Sequence, residues 1–159
     1  VGVAIVSSSQ ITVRSAGIYN IQFSFQFANT SVSIQDVDVW FRKNGTDDPG
    51  SNSKFSVPNS HGGTDGHLIA ALNYYIQLAA GDYVQIMWAT TSTDVTLEQL
   101  PAQTSPTRPT TPSAIVTINK VDESSSSDIY ASNQLQGECT VNHFANATAD
   151  KTYRYVVLG

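Results

Sequence analysis

The amino-acid sequence predicts an all-β protein built as a sandwich of two antiparallel sheets. Apolar and polar residues alternate one by one through Gly17-Ile18-Tyr19-Asn20-Ile21-Gln22-Phe23-Ser24-Phe25-Gln26-Phe27, again across residues 68–78, and through Val84, Ile86 and Trp88. Strand side chains point alternately to opposite faces, so each run has one oily face and one wet face. β-Branched and aromatic runs are bounded by Gly, Asn, Asp and Pro at sandwich-like intervals, and apolar spacing of three and four residues is absent, so no helix is expected.

Strands are expected over residues 2–7, 10–14, 17–28, 34–43, 52–57, 67–78, 82–90, 94–99, 113–121 and 152–158. Residues 3–6 already read as a strand, and the long alternating run follows the turn at Gly17. Val37-Asp38-Val39-Trp40-Phe41 ends at Asn44-Gly45, a pair that tolerates positive φ and so starts a tight return. Gly81-Asp82-Tyr83 turns the run over 68–78 into the next strand. Pro101, Pro106, Pro109 and Pro112 lack the N–H that a ladder needs, so residues 99–112 are expected as a long exposed connection within the fold. Asp122-Glu123-Ser124-Ser125-Ser126-Ser127-Asp128 reads as a flexible acidic spacer. Beyond it, modest hydrophobicity ends in an arm strand carrying Tyr153, Tyr155, Val156, Val157 and Leu158. The expected division is a sandwich domain over 1–121 and a spacer with C-terminal arm over 122–159.

Size and composition narrow the function. A chain of 159 residues suits one domain that buries about two-thirds of its unfolded surface without staples. Only 13% of residues are charged, so solubility rests on abundant Ser, Thr, Asn and Gln, as suits an extracellular or assembled particle. A net charge of −5 without a basic cluster argues against duplex nucleic acid as a partner. No run approaches the roughly 20 apolar residues of a membrane span, and no signal sequence opens the chain. The first residue is Val1, and the chain reads as a processed or truncated piece of a longer product.

Candidate chemistry is sparse. His61, Asp65 and His67 lie in His61-Gly62-Gly63-Thr64-Asp65-Gly66-His67 and offer a weak divalent-metal set, against which three glycines read as a flexible turn. The single cysteine, Cys139, excludes an intrachain disulfide; it reads as a small buried hydrophobe, with an intermolecular disulfide as the alternative. Its neighbour His143 is a chance companion, no Gly-x-Ser-x-Gly elbow is present, and Asp36, Asp38, Asp47, Asp48, Asp65, Asp82 and Asp94 sit almost all in or beside turns. No enzyme activity and no cofactor are expected. Asn29, Asn44 and Asn146 match the N-glycosylation pattern at a frequency near chance for this composition. Phe23, Phe25, Phe27, Tyr74 and Trp88 are expected in the core, with Trp40, Tyr75 and Tyr83 on the opposite faces of their strands.

The landmarks Gly17-Ile18-Tyr19, Trp40-Phe41-Arg42-Lys43-Asn44-Gly45 and Leu78-Ala79-Ala80-Gly81-Asp82-Tyr83-Val84, followed by a closing strand over 113–121, come in an order that resembles the jelly-roll of tumour necrosis factor and of the globular head of the first complement component. With Thr104-Ser105-Pro106-Thr107-Arg108-Pro109, the wording is more similar still to jelly-roll domains of tailed-phage structural proteins, particularly those of cyanobacterial phages. The resemblance covers residues 1–121; the family's first strand would precede Val1, and residues 122–159 extend past its usual last strand.

The resemblance implies a two-sheet antiparallel jelly-roll with a C-terminal arm, and a homotrimer whose second apolar surface includes Trp40, Tyr75 and Tyr83, with exposed ligand-binding aromatics as the competing reading of those three residues. The expected role is a non-enzymatic virion structural protein on the surface of a tailed phage, acting in host attachment as a fibre tip. A capsid decoration protein, and a bacterial surface-filament subunit held by strand exchange, are the alternatives; a secreted signalling ligand is a fourth. Expected partners are other copies of the chain, other virion proteins and a host-surface glycan or protein, met through loops 46–53, 59–66 and 99–112. The arm is also a candidate to fill the sheet edge that a missing first strand leaves open, in its own chain or a neighbour's, with local packing of the tail as the alternative.

Overall fold

Strands begin where the alternation begins. In the computed structural model, which describes residues 2–7, 9–121, 129–135 and 138–143, all regular structure is β. In chain order the strands are β1 (Val3–Val6), β2 (Gln10–Val13), β3 (Gly17–Asn29), β4 (Gln35–Lys43), β5 (Thr46–Asp47), β6 (Ser53–Val57), β7 (Gly66–Leu78), β8 (Tyr83–Thr90), β9 (Val95–Leu97), β10 (Gln103–Thr104), β11 (Thr107–Arg108), β12 (Ala114–Val121), β13 (Ile129–Leu135) and β14 (Glu138–His143). The chain divides into two units, Val1–Val121 and Asp122–Gly159.

The first unit is a β-sandwich of jelly-roll-like form. One sheet runs β1-β2-β8-β4, with β5 and β6 both paired to β4; the other runs β12-β3-β7, with β9 also paired to β3. All the pairings are antiparallel. β7 lines β3 along its whole length, so β12 and β9 share the other side of β3, at residues 18–25 and 27–29 respectively. The second unit contributes an antiparallel hairpin, β13 with β14. That hairpin is a feature the sequence reading passed over, and the arm residues Tyr153, Tyr155, Val156, Val157 and Leu158 lie outside the described residues.

The core forms where the inward faces meet. Tyr19, Ile21, Phe23, Phe25 and Phe27 of β3 are buried, as are Val37, Val39 and Phe41 of β4 and Tyr74, Ile76 and Leu78 of β7. Burying each large side chain is worth about 1.5–3 kcal/mol. The rings interlock: Phe41 stacks on Tyr74 at 4.6 Å and 15°, Phe23 meets Phe41 edge-on at 5.9 Å, and Trp88 meets Phe27 at 5.2 Å. The expected core aromatics therefore sit in the core, Trp88 at its partly buried margin.

The proline-rich connection departs from a plain loop. β10 and β11 pair as a small hairpin inside it, and Leu100 bridges Thr111. Pro101, Pro106, Pro109 and Pro112 all fall outside the four paired positions, so the missing N–H groups are never asked for. The connection leaves and rejoins the sheet at one point: Glu98 N–H donates to the Gln26 carbonyl, and Gln26 N–H donates to the Ser113 carbonyl.

Candidate functional site

The three sequence landmarks meet at one end of the sandwich. Asn44 and Gly45 take positive φ of 48° and 82°, the backbone of a tight hairpin turn between β4 and β5. Asn44 Nδ2 then donates to Asp82 Oδ1 at 2.8 Å, and Tyr83 N–H donates to Asn44 Oδ1 at 3.0 Å. Asp82 Oδ2 accepts from the Ala79 N–H at 2.8 Å and lies 3.2 Å from Lys43 Nζ. These donors, Asn44 foremost, hold the Asp82 carboxyl down at about 2, below its ordinary 3.8. Lys43 also donates to the Gln77 carbonyl, Gly81 N–H to Val13 O, and Tyr19 OH to Ser15 O across the turn into β3. Lys43 and Asn44 are thus tied to Asp82 and Tyr83, while Gly17-Ile18-Tyr19 is paired with Leu78, Gln77 and Ile76 on the adjoining strand.

The opposite end is fastened by a residue that the sequence reading treated only as a glycosylation pattern. Asn29 is fully buried; its Nδ2 is shared among the carbonyls of Ser33, Val57 and Pro58, and its Oδ1 accepts from Ser31 N–H. No glycan can be attached to a side chain so placed. The loop after β6 is held to the same region, with Ser60 N–H donating to Ser31 O and Ser60 Oγ to Thr30 O. The loop after β5 is tied inward by buried Ser51, whose Oγ accepts from Phe41 N–H and donates to Asp48 O.

Two outward faces are left. On the first sheet, Trp40 pairs with Met87 and Arg42 with Gln85, and Tyr83 follows on the same face. Trp40 Nε1 and Arg42 Nε both donate to Asp47 Oδ1, at 2.8 and 2.6 Å, and Arg42 is the larger cause of the lowered Asp47 pKa. Asp36, Asp38 and Lys54 occupy the same face, with Lys54 Nζ 3.2 Å from Asp38 Oδ2. Asn52, then Lys54, lowers the Asp38 pKa against the opposing effect of burial. On the second sheet, Tyr75 pairs with Asn20. The three aromatics expected at one interface therefore divide: Trp40 and Tyr83 on one outward face, Tyr75 on the other.

The histidine motif does not converge. His61 bridges Thr64 within its own turn, while His67 enters β7 and places Nδ1 3.2 Å from Glu98 Oε2, across Ala28 of β3. Among the described residues no group of three or more His, Cys, Asp or Glu side chains is arranged to hold a metal. Glu98 was not singled out from the sequence, because its nearness to His67 comes from β7 lying on one side of β3 and from the Glu98 N–H bond to Gln26 on the other, not from any local pattern. Cys139 and His143 both fall in β14.

Each sheet has an edge strand with an exposed core-facing residue. On β12, Ile118 packs against the core, but Val116, opposite buried Phe23, is 41% exposed, and Ile5 of β1, opposite Ile11, is 72% exposed. The far edge of β12 has no strand partner among the described residues. No family model matches the chain, and no curated protein matches it.

Proposed function

We propose that this chain is a non-enzymatic structural protein of a tailed-phage virion, a homotrimeric jelly-roll of tumour necrosis factor-like type on the virion surface that acts in host attachment as a fibre tip. The observation that carries the reading is the clamp between Lys43-Asn44-Gly45 and Gly81-Asp82-Tyr83 at one end of the sandwich, with Gly17-Ile18-Tyr19 paired to Leu78, Gln77 and Ile76 just before the second of them. Those are the residues on which the resemblance rests, and their coupling supports treating them as one fold signature. In this reading the loops over 46–53, 59–66 and 99–112 meet a host-surface glycan or protein, and other virion proteins anchor the head.

Antibodies raised against residues 1–121, used for gold labelling of native particles in the electron microscope, test the assignment. Label at fibre tips is expected. Label spread over the capsid would replace the fibre role with decoration, and no label on particles would remove the virion reading.

One observation favours a second reading, a filament subunit held by strand exchange. The edge of β12, which has no strand partner among the described residues and carries the exposed Val116, is able to take another copy's strand. Polymerisation without any capsid, lost on truncation after Val121, is its expected outcome; unchanged assembly after truncation removes it.

A further inference from the structure

Asn44 is the only asparagine of the chain that a glycine follows. In such a pair the backbone nitrogen of the glycine can attack the side-chain carbon of the asparagine, because the glycine has no side chain to hinder a close approach. Both residues are exposed, and the Gly45 N–H makes no backbone hydrogen bond among the described residues, so the attacking atom is free. Its target is held. Asn44 Nδ2 donates to Asp82 Oδ1 at 2.8 Å and Asn44 Oδ1 accepts from Tyr83 N–H at 3.0 Å, so both ends of the amide are fixed to another turn. Attack requires the side chain to leave Asp82 and Tyr83 and swing round to the nitrogen that follows it.

We infer that Asn44 is a modification site, an intramolecular deamidation that the Asp82 clamp holds off while this end of the sandwich is closed and that locks the end open once it has occurred. Gly45 N forms a bond to Asn44 Cγ, the Cγ–Nδ2 bond breaks, and ammonia leaves with the proton that Gly45 N carried. Water then opens the cyclic imide at either carbonyl and leaves aspartate or isoaspartate at position 44. The reaction needs water alone, with no oxidant, reductant or second protein. Its product cannot restore the clamp. A carboxylate has no N–H to give Asp82, and the Asp82 carboxyl, held down at about 2, is charged wherever the new carboxylate is charged. Like charges then meet where a 2.8 Å hydrogen bond stood. Lys43, 3.2 Å from Asp82 Oδ2, is the cation of the clamp and would have to serve both carboxylates. Isoaspartate also lengthens the backbone by a methylene, which spoils the turn that Asn44 and Gly45 make with φ of 48° and 82°.

Peptide mapping by mass spectrometry, on the full chain aged in mildly alkaline buffer, follows the acid form of the peptide that carries Asn44. Slow conversion is expected in the native wild type. In Asp82→Ala it should be faster by roughly tenfold or more, the factor by which one hydrogen bond to a charged group shifts an opening equilibrium. Asn52 and Asn59, each followed by serine, should convert at rates that Asp82→Ala leaves unchanged. Circular dichroism confirms folding; if Asp82→Ala does not fold, wild type aged in denaturing urea supplies the open state, with the same acceleration of Asn44 expected. Equal Asn44 rates in the closed and open states would overturn the inference, as would an Asn44 that stays unconverted in the open state. Asn44→Asp tests the lock: its urea midpoint should lie below that of wild type and recover in part when Asp82→Asn is added. A wild-type midpoint in Asn44→Asp would show that the modification locks nothing.

Discussion

Asn44 and Asp82 hold two turns together: the amide of the first donates to the carboxylate of the second at 2.8 Å, and Asn44 Oδ1 accepts from the N–H of Tyr83 next in the chain. Both groups of one side chain are used to bind a neighbouring turn 38 residues away. An Asn-Gly pair thus has two tasks here, supplying the positive φ of its own hairpin and clamping the end of β8.

The same bond predicts a pH dependence. The folded Asp82 carboxyl titrates at about 2 against an ordinary 3.8, so between those values the unfolded chain binds more protons. The contribution of Asp82 to stability is therefore complete above 3.8 and is lost as pH falls through about 2. Denaturant midpoints measured at pH 6 and at roughly pH 2 should fall further in wild type than in Asp82→Asn. Asp38 and Asp47 are also lowered, and their loss is common to both proteins, so the difference isolates Asp82. Equal acid losses in the two proteins would count against the clamp.

Asn29 shows both what the sequence reveals and what it hides. Alternation located its strand, and 17–28 became β3 to within one residue, because a period of two follows directly from strand geometry. Burial of Asn29 was not legible, since it depends on carbonyls of Ser33, Val57 and Pro58 delivered by distant turns. For the same reason alternation put Trp40, Tyr75 and Tyr83 outward without saying which sheet each would join; pairing across the sandwich is long-range. The weakly alternating Ile129-Tyr130-Ala131-Ser132-Asn133-Gln134-Leu135 gave no clear strand signal at all, yet β13 forms there.

Asn29→Ala should be strongly destabilising. It removes a donor serving three carbonyls and an acceptor for Ser31 N–H, and each buried group left without a partner costs about 1–3 kcal/mol. Urea unfolding should show the loss with no change in slope. Asn29→Asp should fare no better, because a carboxylate turns an oxygen toward the carbonyls that Nδ2 now serves. A stable Asn29→Asp protein would contradict that geometry.

Tyr74 separates packing from hydrogen bonding. Its ring stacks on Phe41 while its hydroxyl donates to Asp48 Oδ2 at 3.1 Å. Burial first, then the Asp48 charge, pushes the phenol pKa up, so the hydroxyl stays protonated as a donor through alkaline pH. Tyr74→Phe keeps the stack and should cost about 1 kcal/mol, whereas Phe41→Ala empties a fully buried site and should cost about 3–5 kcal/mol. Near-equal losses in thermal melts would show that the stack contributes little.

Gly66 opens β7 where the turn after β6 crosses closest. A Cβ built there would run into the carbonyl oxygen of Pro58 and stand 2.9 Å from that of Asn59, and both obstacles are backbone rather than a side chain that can swing away. Pro58 O also accepts from Asn29 Nδ2, so moving it would disturb the one buried amide that fastens this end. Gly66→Ala should therefore destabilise by more than the roughly 0.5–1 kcal/mol by which alanine is ordinarily preferred to glycine in a strand, and in the opposite direction. Gly62→Ala is the comparison, since nothing lies within 4 Å of its Cβ position, although its φ of 60° also disfavours alanine. Chemical denaturation should rank Gly66→Ala well below Gly62→Ala; the reverse order would mean that the Pro58 turn yields freely and does not set the start of β7.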